Sequence, residues 1–405
     1  MLKKLYDKYK NIFIIGISAL IIGIVVGSID TCFGKILISI TEFRDENPLK
    51  LIPFLAAAGV VIIYTYQKIG KNSIKGMTLV FESAENEDEN IPKRLIPLIM
   101  ISTWITHLFG GSAGREGVAV QIGATVADTV GRNIKIKNAK RIFIVTGMAA
   151  GFSGLFQTPI AAVFFALEVL IAGTLEYTAL FSALIAAFTA STTSHILGLE
   201  KFTFALNVDW NFNFQFVVKL IAAGIIFGIV GRLFAYLLGK TKKILGDIIE
   251  NPILKIFVTG IILSILLLVM HMGRYSGLGT NIISSSFNGG IIYNYDWILK
   301  LIFTIVTLSA GFQGGEVTPL FSIGASLGVV LGALFGVPIE VTAALGYAAV
   351  FGSATNTLLA PMFIGAEVFG FEYMPLFFVT CAVAYIFNGN RSIYSAQKVS
   401  CAIKK

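Results

Sequence analysis

Long, uninterrupted runs of apolar residues recur along nearly the whole chain, and they constrain its fold more than any other feature. A helix needs about 20 apolar residues to cross a membrane, whereas the strands of a transmembrane barrel alternate polar and apolar positions. These runs do not alternate, so we predict an all-α, polytopic membrane protein. The runs cover residues 12–27, 51–66, 95–109, 142–172, 176–199, 214–238, 252–271, 297–311, 318–336, 340–371 and 375–387.

The composition and the positions of the charges agree with membrane insertion. Only 13% of the 405 residues are charged, against roughly 25% in soluble domains. The net charge of +8 comes from basic residues in short polar segments, at 3–10, 132–141 and 404–405. This distribution argues against nucleic-acid binding and predicts that both termini lie in the cytoplasm.

The sequence contains no complete motif for an enzyme, a metal site or a phosphate-binding loop. The three histidines, His107, His195 and His271, are scattered without metal-ligand spacing. Gly239-Lys240-Thr241 ends like a phosphate-binding loop, but Phe234 stands where that motif requires glycine. We therefore expect neither an enzyme nor a bound cofactor or metal.

The two halves of the chain match each other when one is shifted by about 200 residues. The matches fall on rare residue types: Gly111 with Gly311, Gly114 with Gly314 and Glu116 with Glu316. A shift of 199 also places Glu168 on Glu367. We predict one membrane domain made of two repeat halves, residues 1–205 and 206–405, as in transporters whose site lies between inverted repeats. Glu168 and Glu367 are expected to join the halves through hydrogen bonds.

Two glycine-rich stretches, 110–117 and 311–319, interrupt the apolar runs and predict broken helices at membrane depth. Free N–H groups at the start of a helix favour an anion. Glu116 lies in the first stretch, where its carboxylate can occupy the anion site or leave it on protonation. The alternative is a glutamate that caps the start of its own helix, although acids inside a membrane are usually functional.

Gly114-Arg115-Glu116-Gly117-x-x-Val120-Gln121 closely resembles the signature of the CLC chloride channel and transporter family. The stretch 311–319 is similar to the second pore segment of that family, and Tyr394 to its central tyrosine. The resemblance implies two inverted halves whose broken helices meet at mid-membrane, in a homodimer with one pathway per subunit. It also implies that Glu116 is the gate and the proton carrier.

Two departures from the chloride-selective pattern resemble the bacterial fluoride/proton antiporter branch of the family. Met77 stands where chloride-selective members have a serine that contacts the anion, and the second pore segment contains Glu316-Val317-Thr318. The resemblance implies an antiporter in a bacterial plasma membrane that exports fluoride in exchange for protons. A chloride/proton antiporter or a passive anion channel is the nearest alternative. More distant ones are a transporter of organic solutes and a membrane scaffold that transports nothing.

The candidate site residues follow from these motifs. Glu316 is expected to assist proton coupling, or else to cap a helix start. The Thr318 hydroxyl suits fluoride, which accepts strong hydrogen bonds, and Phe81 could offer its positive ring edge. For Phe81 and Met77 the alternative is plain packing in the core. The residues expected along the anion pathway are Gly114, Arg115, Gly117, Val118, Met77, Phe81, Thr318 and Tyr394.

Overall fold

The computed structural model describes residues 2–206, 208 and 213–400. Lys404 and Lys405, used above to predict a cytoplasmic C-terminus, lie outside the described residues. The helices are α1 (Leu2–Glu46), α2 (Pro48–Leu51), α3 (Leu55–Thr65), α4 (Met77–Glu85), α5 (Leu95–Leu108), α6 (Glu116–Gly131), α7 (Ala139–Phe156), α8 (Pro159–Glu168), α9 (Leu180–Ile196), α10 (Phe214–Ile248), α11 (Pro252–Val269), α12 (Thr280–Phe287), α13 (Asp296–Ala310), α14 (Val317–Phe335), α15 (Ile339–Thr355), α16 (Leu359–Phe369) and α17 (Met374–Phe387).

Seven helical segments in the described part of the chain are long and apolar enough to cross a membrane. They are Tyr9–Glu46, Pro48–Lys75, Ala139–Phe156, Tyr177–Ile196, Phe214–Ile248, Pro252–Val269 and Val317–Phe335. The other apolar helices, such as α5, α8 and α16, are shorter. Short helices at membrane depth need protein around their ends, which is why they lie within the bundle.

Two of the apolar runs divide into pairs of helices instead of forming single spans. The run 142–172 breaks between α7 and α8, where Gln157 adopts a left-handed backbone with φ 55°. The run 340–371 breaks in the same way between α15 and α16, at Asn356 with φ 56°. Pro159 then starts α8, because its fixed φ suits the first turn of a helix and its missing N–H costs nothing there.

Glycine brings two pairs of helices into backbone contact. A Cβ at Gly123 of α6 would collide with the carbonyl oxygen of Gly147 in α7. A Cβ at Gly324 of α14 would collide in the same way with Gly346 in α15. Small residues permit such close helix packing in membrane proteins. Gly324 of α14 therefore forms a contact within the bundle.

The two short helices α8 and α16 are joined by reciprocal hydrogen bonds, which confirms the expected role of Glu168 and Glu367. The Glu168 carboxylate ends α8 and accepts the N–H groups of Leu358, Leu359 and Ala360, at 2.8–3.1 Å. The Glu367 carboxylate near the end of α16 accepts the N–H groups of Ile160 and Ala161, at 3.1 and 2.9 Å. Each carboxylate therefore satisfies N–H groups at the start of the other helix.

The mostly helical fold confirms the all-α prediction, and one short two-stranded ladder accompanies the helices. Strand β1 (Ile171–Ala172) follows α8 and pairs in parallel with β2 (Lys398–Val399). Lys398 donates its N–H to the Leu170 carbonyl at 3.2 Å, and Ser400 donates to Ala172 at 3.0 Å. The ladder holds the segment after α17, which carries Tyr394, against the core.

Candidate functional site

The two glycine-rich stretches meet face to face. Gly114 precedes α6 and Gly315 precedes α14, and these two residues form an isolated antiparallel bridge. The Gly114 N–H donates to the Gly315 carbonyl at 2.5 Å, and the Gly315 N–H donates to the Gly114 carbonyl at 2.8 Å. A Cβ at Gly114 would lie 2.9 Å from Gly315 O and from Pro319 Cδ. The bridge therefore depends on glycine, and it brings the starts of α6 and α14 together.

Glu116 projects across this junction to the opposite helix. Its side chain is fully buried. The carboxylate oxygen Oε2 accepts the N–H of Thr318 at 3.0 Å and the N–H of Arg115 at 3.2 Å. The Thr318 hydroxyl lies 2.5 Å from Oε1 and 2.6 Å from Oε2. Glu116 thus binds mainly at the start of α14 and does not simply cap its own helix.

The Thr318 hydroxyl suits either protonation state of this carboxyl group. A hydroxyl has one donor proton and two acceptor lone pairs. It can donate to a Glu116 carboxylate, and it can accept from a protonated Glu116. The same hydroxyl is free to donate to another small anion if the carboxyl group moves away.

Arg115 adds positive charge beside the Glu116 carboxylate. Its Nε lies 3.8 Å from Glu116 Oε1, and its side chain is 12% exposed. Its Nε and Nη1 are buried and have no hydrogen-bond partner among the described residues. Guanidinium donors that are buried and unpaired are costly, so they favour an anion nearby.

A cavity of about 420 Å³ contains the remaining predicted residues. Met77, Phe81, Glu316 and Tyr394 all line it. Met77 starts α4 and Phe81 follows one helical turn later, so both face the same side. The Phe81 and Tyr394 rings pack at a centroid distance of 5.4 Å. Phe81 therefore belongs to both the core and the cavity wall.

Glu316 is half-buried at the edge of this cavity and makes no side-chain cap to α14. A Cβ at Gly117 would lie 3.6 Å from Glu316 Oε2, so the Glu316 carboxylate approaches the first turn of α6. Glycine at position 117 leaves room for this acid. Each carboxylate therefore lies near the start of the other's helix: Glu116 at α14 and Glu316 at α6.

The predicted residues thus form two groups that adjoin each other. Gly114, Arg115, Glu116, Gly117 and Thr318 form the helix junction. Met77, Phe81, Glu316 and Tyr394 form the cavity wall. Val118 is fully buried, and its N–H donates to the Arg115 carbonyl at 3.1 Å. That N–H is already bonded in this conformation, so Val118 contributes packing rather than a free donor.

The polar residues that line the cavity but were not among the predicted site residues include Gln121, Gln313, Lys242 and Lys255. Gln121 belongs to the sequence motif of α6, which is the signal that could have indicated it. The two lysines come from α10 and α11. Neither lysine belongs to the motifs that predicted the site, so only the tertiary structure brings them to the cavity.

Comparison with known proteins agrees with this geometry. The profile of the family described as voltage gated chloride channel matches residues 58–389. A chloride/fluoride channel protein of Pseudomonas syringae pv. tomato (strain ATCC BAA-871 / DC3000) is 34% identical over 386 residues, which cover 94% of this chain and 85% of that protein.

Solved structures show the same fold. The crystal structure of a CLC-type fluoride/proton antiporter is 53% identical, with a TM-score of 0.94, covering 96% of this chain and 98% of that chain. The structure of a slow cyanobacterial Cl−/H+ antiporter is 20% identical, with a TM-score of 0.78, covering 92% and 94%. With its paired broken helices and its buried glutamate between them, the chain belongs to the CLC family of voltage gated chloride channels and related antiporters and is a multi-pass membrane protein.

Proposed function

We propose that the protein exports fluoride from a bacterial cell across the plasma membrane in exchange for protons. The observation that carries this proposal is the Glu116 carboxylate, which accepts both the N–H and the hydroxyl of Thr318 at the junction of α6 and α14. These donors are the ones that a dehydrated fluoride ion would need. One acid and one anion therefore compete for a single set of donors.

The coupling follows from this competition. When Glu116 is ionised, it occupies the donors and the site is closed to anions. When it takes a proton, its attraction to the helix starts falls, the side chain can leave, and fluoride can take its place. Each exchange of fluoride for the carboxylate is then tied to the uptake or release of a proton, with Glu316 assisting on the cavity side.

The choice of fluoride is supported by the chemistry of the site and by the relatives. Fluoride is a small anion that accepts short, strong hydrogen bonds, and the Thr318 hydroxyl and N–H offer two donors together. The 53% identical structure is that of a CLC-type fluoride/proton antiporter. The 34% identical relative is named a chloride/fluoride channel protein, and this name keeps a chloride/proton antiporter or a passive anion channel as the second candidate.

We propose further that two copies form a homodimer in the bilayer, with both termini in the cytoplasm and one anion pathway in each subunit. The repeat halves 1–205 and 206–405 would together form one membrane domain that needs no cofactor. Chemical cross-linking of single-cysteine variants in membranes tests the dimer. A cross-linked species of twice the monomer mass is expected, whereas only monomers at all cross-linker concentrations would refute it.

The decisive test measures proton flux in proteoliposomes that are loaded in turn with fluoride and chloride. An outward fluoride gradient is expected to drive protons inward against their own gradient, and an equal chloride gradient to drive far fewer. Equal proton fluxes with both anions would favour the chloride candidate. Anion efflux without any proton movement would favour a channel.

The variant Glu116→Gln is expected to abolish this coupling, because an amide does not cycle between charged and neutral forms. Fluoride efflux from the same liposomes, measured with a fluoride electrode, shows whether the variant still conducts the anion. Fluoride-driven proton movement that persists in Glu116→Gln would remove Glu116 from the role of proton carrier.

A further inference from the structure

Lys300 is a cation buried in the membrane domain without an acidic partner. It lies on α13 and is fully buried. None of the ion pairs in the described part of the chain includes it. Buried charges are normally paired, because burial removes them from water at a high cost. A lysine that departs from this rule calls for a physical reason.

The lysine is held in place by neutral oxygen atoms alone. Its Nζ donates to Gly277 O at 2.7 Å, to Ser112 Oγ at 2.9 Å and to Tyr275 O at 3.1 Å. An ammonium group has three donors, so all of them are satisfied. The hydrogen bonds fix the position of the charge, but they do not neutralise it.

One of these contacts reaches the loop that carries the gate. Ser112 lies in the stretch between α5 and α6, shortly before Glu116, and it is fully buried. Ala113, the next residue, donates its N–H to Gly277 O at 3.2 Å, so it shares that carbonyl with Lys300. Lys300 therefore touches the loop two residues before the Gly114–Gly315 bridge.

The charged groups around Lys300 leave its charge uncompensated. Asp296, one turn earlier on α13, binds Arg274 at 2.7 Å and the Tyr275 hydroxyl at 2.7 Å. Arg44 of α1 pairs with Asp45 at 2.6 Å and donates to the carbonyl of His107 at 3.1 Å. Asp296 and Asp45 are thus both already engaged by another cation.

We propose that Lys300 is a positioning residue whose fixed positive charge stabilises negative charge at the gate, carried either by Glu116 or by the bound anion. The inference rests on the proposed anion transport. Charges interact strongly where little water screens them, so an unpaired cation behind the gate loop favours an anion in front of it. Lys300 acts through the electrostatic field of its charge and through its hydrogen bond to Ser112, without contacting the anion.

The test compares Lys300→Gln, which keeps hydrogen-bond donors but removes the charge, with Lys300→Arg, which keeps the charge. In Lys300→Gln the half-saturating fluoride concentration is expected to rise about tenfold, the scale of one lost charge in a partly buried site. In Lys300→Arg it should stay within about threefold of wild type. Lys243→Gln, an exposed lysine on α10, is the matched control and should behave as wild type.

Two measurements distinguish an electrostatic role of Lys300 from a purely structural one, and they also distinguish a failure of this inference from a failure of the proposed antiport. Initial rates of fluoride efflux give the half-saturating concentration and the maximal rate. A lysine that only braces the loop would lower the maximal rate or the yield of folded protein equally in both variants and leave half-saturation unchanged, which would overturn the inference. Calorimetric fluoride binding to the purified protein repeats the comparison without any proton coupling, so a failure of antiport is recognised separately.

A second variant decides the matter if Lys300→Gln does not fold. Ser112→Asp keeps the lysine and places a carboxylate next to its Nζ, which neutralises the charge in place. The same weakening of fluoride binding is expected. Fluoride binding as tight as in wild type in a folded Ser112→Asp protein would refute the proposal.

Discussion

At the scale of single residues, the junction of α6 and α14 concentrates its hydrogen bonding on one threonine. Thr318 supplies an N–H and a hydroxyl to the Glu116 carboxylate, and its side chain is 4% exposed. A hydroxyl without solvent contact depends on the protein for its partners. We therefore expect the preference for fluoride to depend mainly on the Thr318 side chain, since backbone N–H groups would serve any anion.

Thr318→Val keeps the shape of the side chain and removes its hydroxyl. The half-saturating fluoride concentration is expected to rise at least about tenfold, because a hydrogen bond to a charged group contributes about 1.5–3 kcal/mol. Thr318→Ser keeps the donor and should stay within about threefold of wild type. Efflux rates over a range of fluoride concentrations measure both. Equal values for valine and serine would show that the hydroxyl does not hold the anion.

Met77 sets the polarity of the cavity at the start of α4. Its thioether lines the cavity beside Thr78 and offers an anion no hydrogen-bond donor. Met77→Ser introduces a hydroxyl donor that chloride can use, so the preference for fluoride over chloride is expected to fall. Met77→Leu, which keeps an apolar side chain of similar volume, is the control and should keep the preference. Paired efflux assays with the two anions give the ratio, and an unchanged ratio in Met77→Ser would reduce Met77 to a packing residue.

At the scale of elements, hydrogen bonds at the ends of α8 and α16 join these two helices. The first N–H groups of α8 and α16 have no partner within their own helices, as at every helix start. Glu168 and Glu367 accept hydrogen bonds from these N–H groups across the contact between the two helices. Phe164 and Phe363 stack between the same two helices at 4.5 Å. Hydrogen bonds and aromatic packing thus stabilise the same contact between α8 and α16.

Replacing these acids by amides tests the contact. Glu168→Gln is expected to lower the stability by about 1–3 kcal/mol, because one oxygen acceptor is exchanged for a donor that faces other donors. Glu367→Gln should cost less, since Glu367 accepts two N–H groups where Glu168 accepts three. Thermal unfolding in detergent ranks the variants, with Glu200→Gln in an exposed loop as the control. The reverse order would show that acceptor count does not set the strength of the contact.

At the scale of the whole molecule, the segment after α17 closes the structure over the cavity. Gln397 donates its Nε2 to Val169 O at 2.9 Å and to Thr355 O at 3.0 Å. These carbonyls lie beyond the end of α8 and at the end of α15, in different halves of the chain. The segment that carries Tyr394 therefore depends on both halves for its position.

Gln397→Ala is expected to destabilise the protein by about 1–3 kcal/mol, because it removes a donor from two buried carbonyl groups. The adjacent Lys398→Ala is the control: it removes an ion pair to Glu85 in which the lysine side chain is 62% exposed, worth less than about 1 kcal/mol. Apparent melting temperatures in detergent compare the two. A larger loss in Lys398→Ala would contradict the assigned role of Gln397.

The sequence by itself determined the membrane class and the family, and it predicted the duplication and the residues of the proposed gate. Apolar runs identify helices because a bilayer leaves the backbone few other ways to satisfy its hydrogen bonds. The two broken helices were visible because glycine clusters in them and because glutamate is rare within apolar runs. The role of Glu168 and Glu367 in joining α8 and α16 could be predicted from their aligned positions in the two halves.

The tertiary structure alone decided which partners these residues meet. The breaks at Gln157 and Asn356 inside continuous apolar runs depend on left-handed backbone that the local sequence does not specify. The contact of Glu116 with Thr318 joins residues some 200 positions apart, and Lys300 reaches Ser112 from another helix. Local sequence patterns indicate which face of a segment contacts lipid, water or the core. The contacts of Glu116 and Lys300 depend instead on how distant segments pack against each other. Their packing is fixed only when the whole chain has folded.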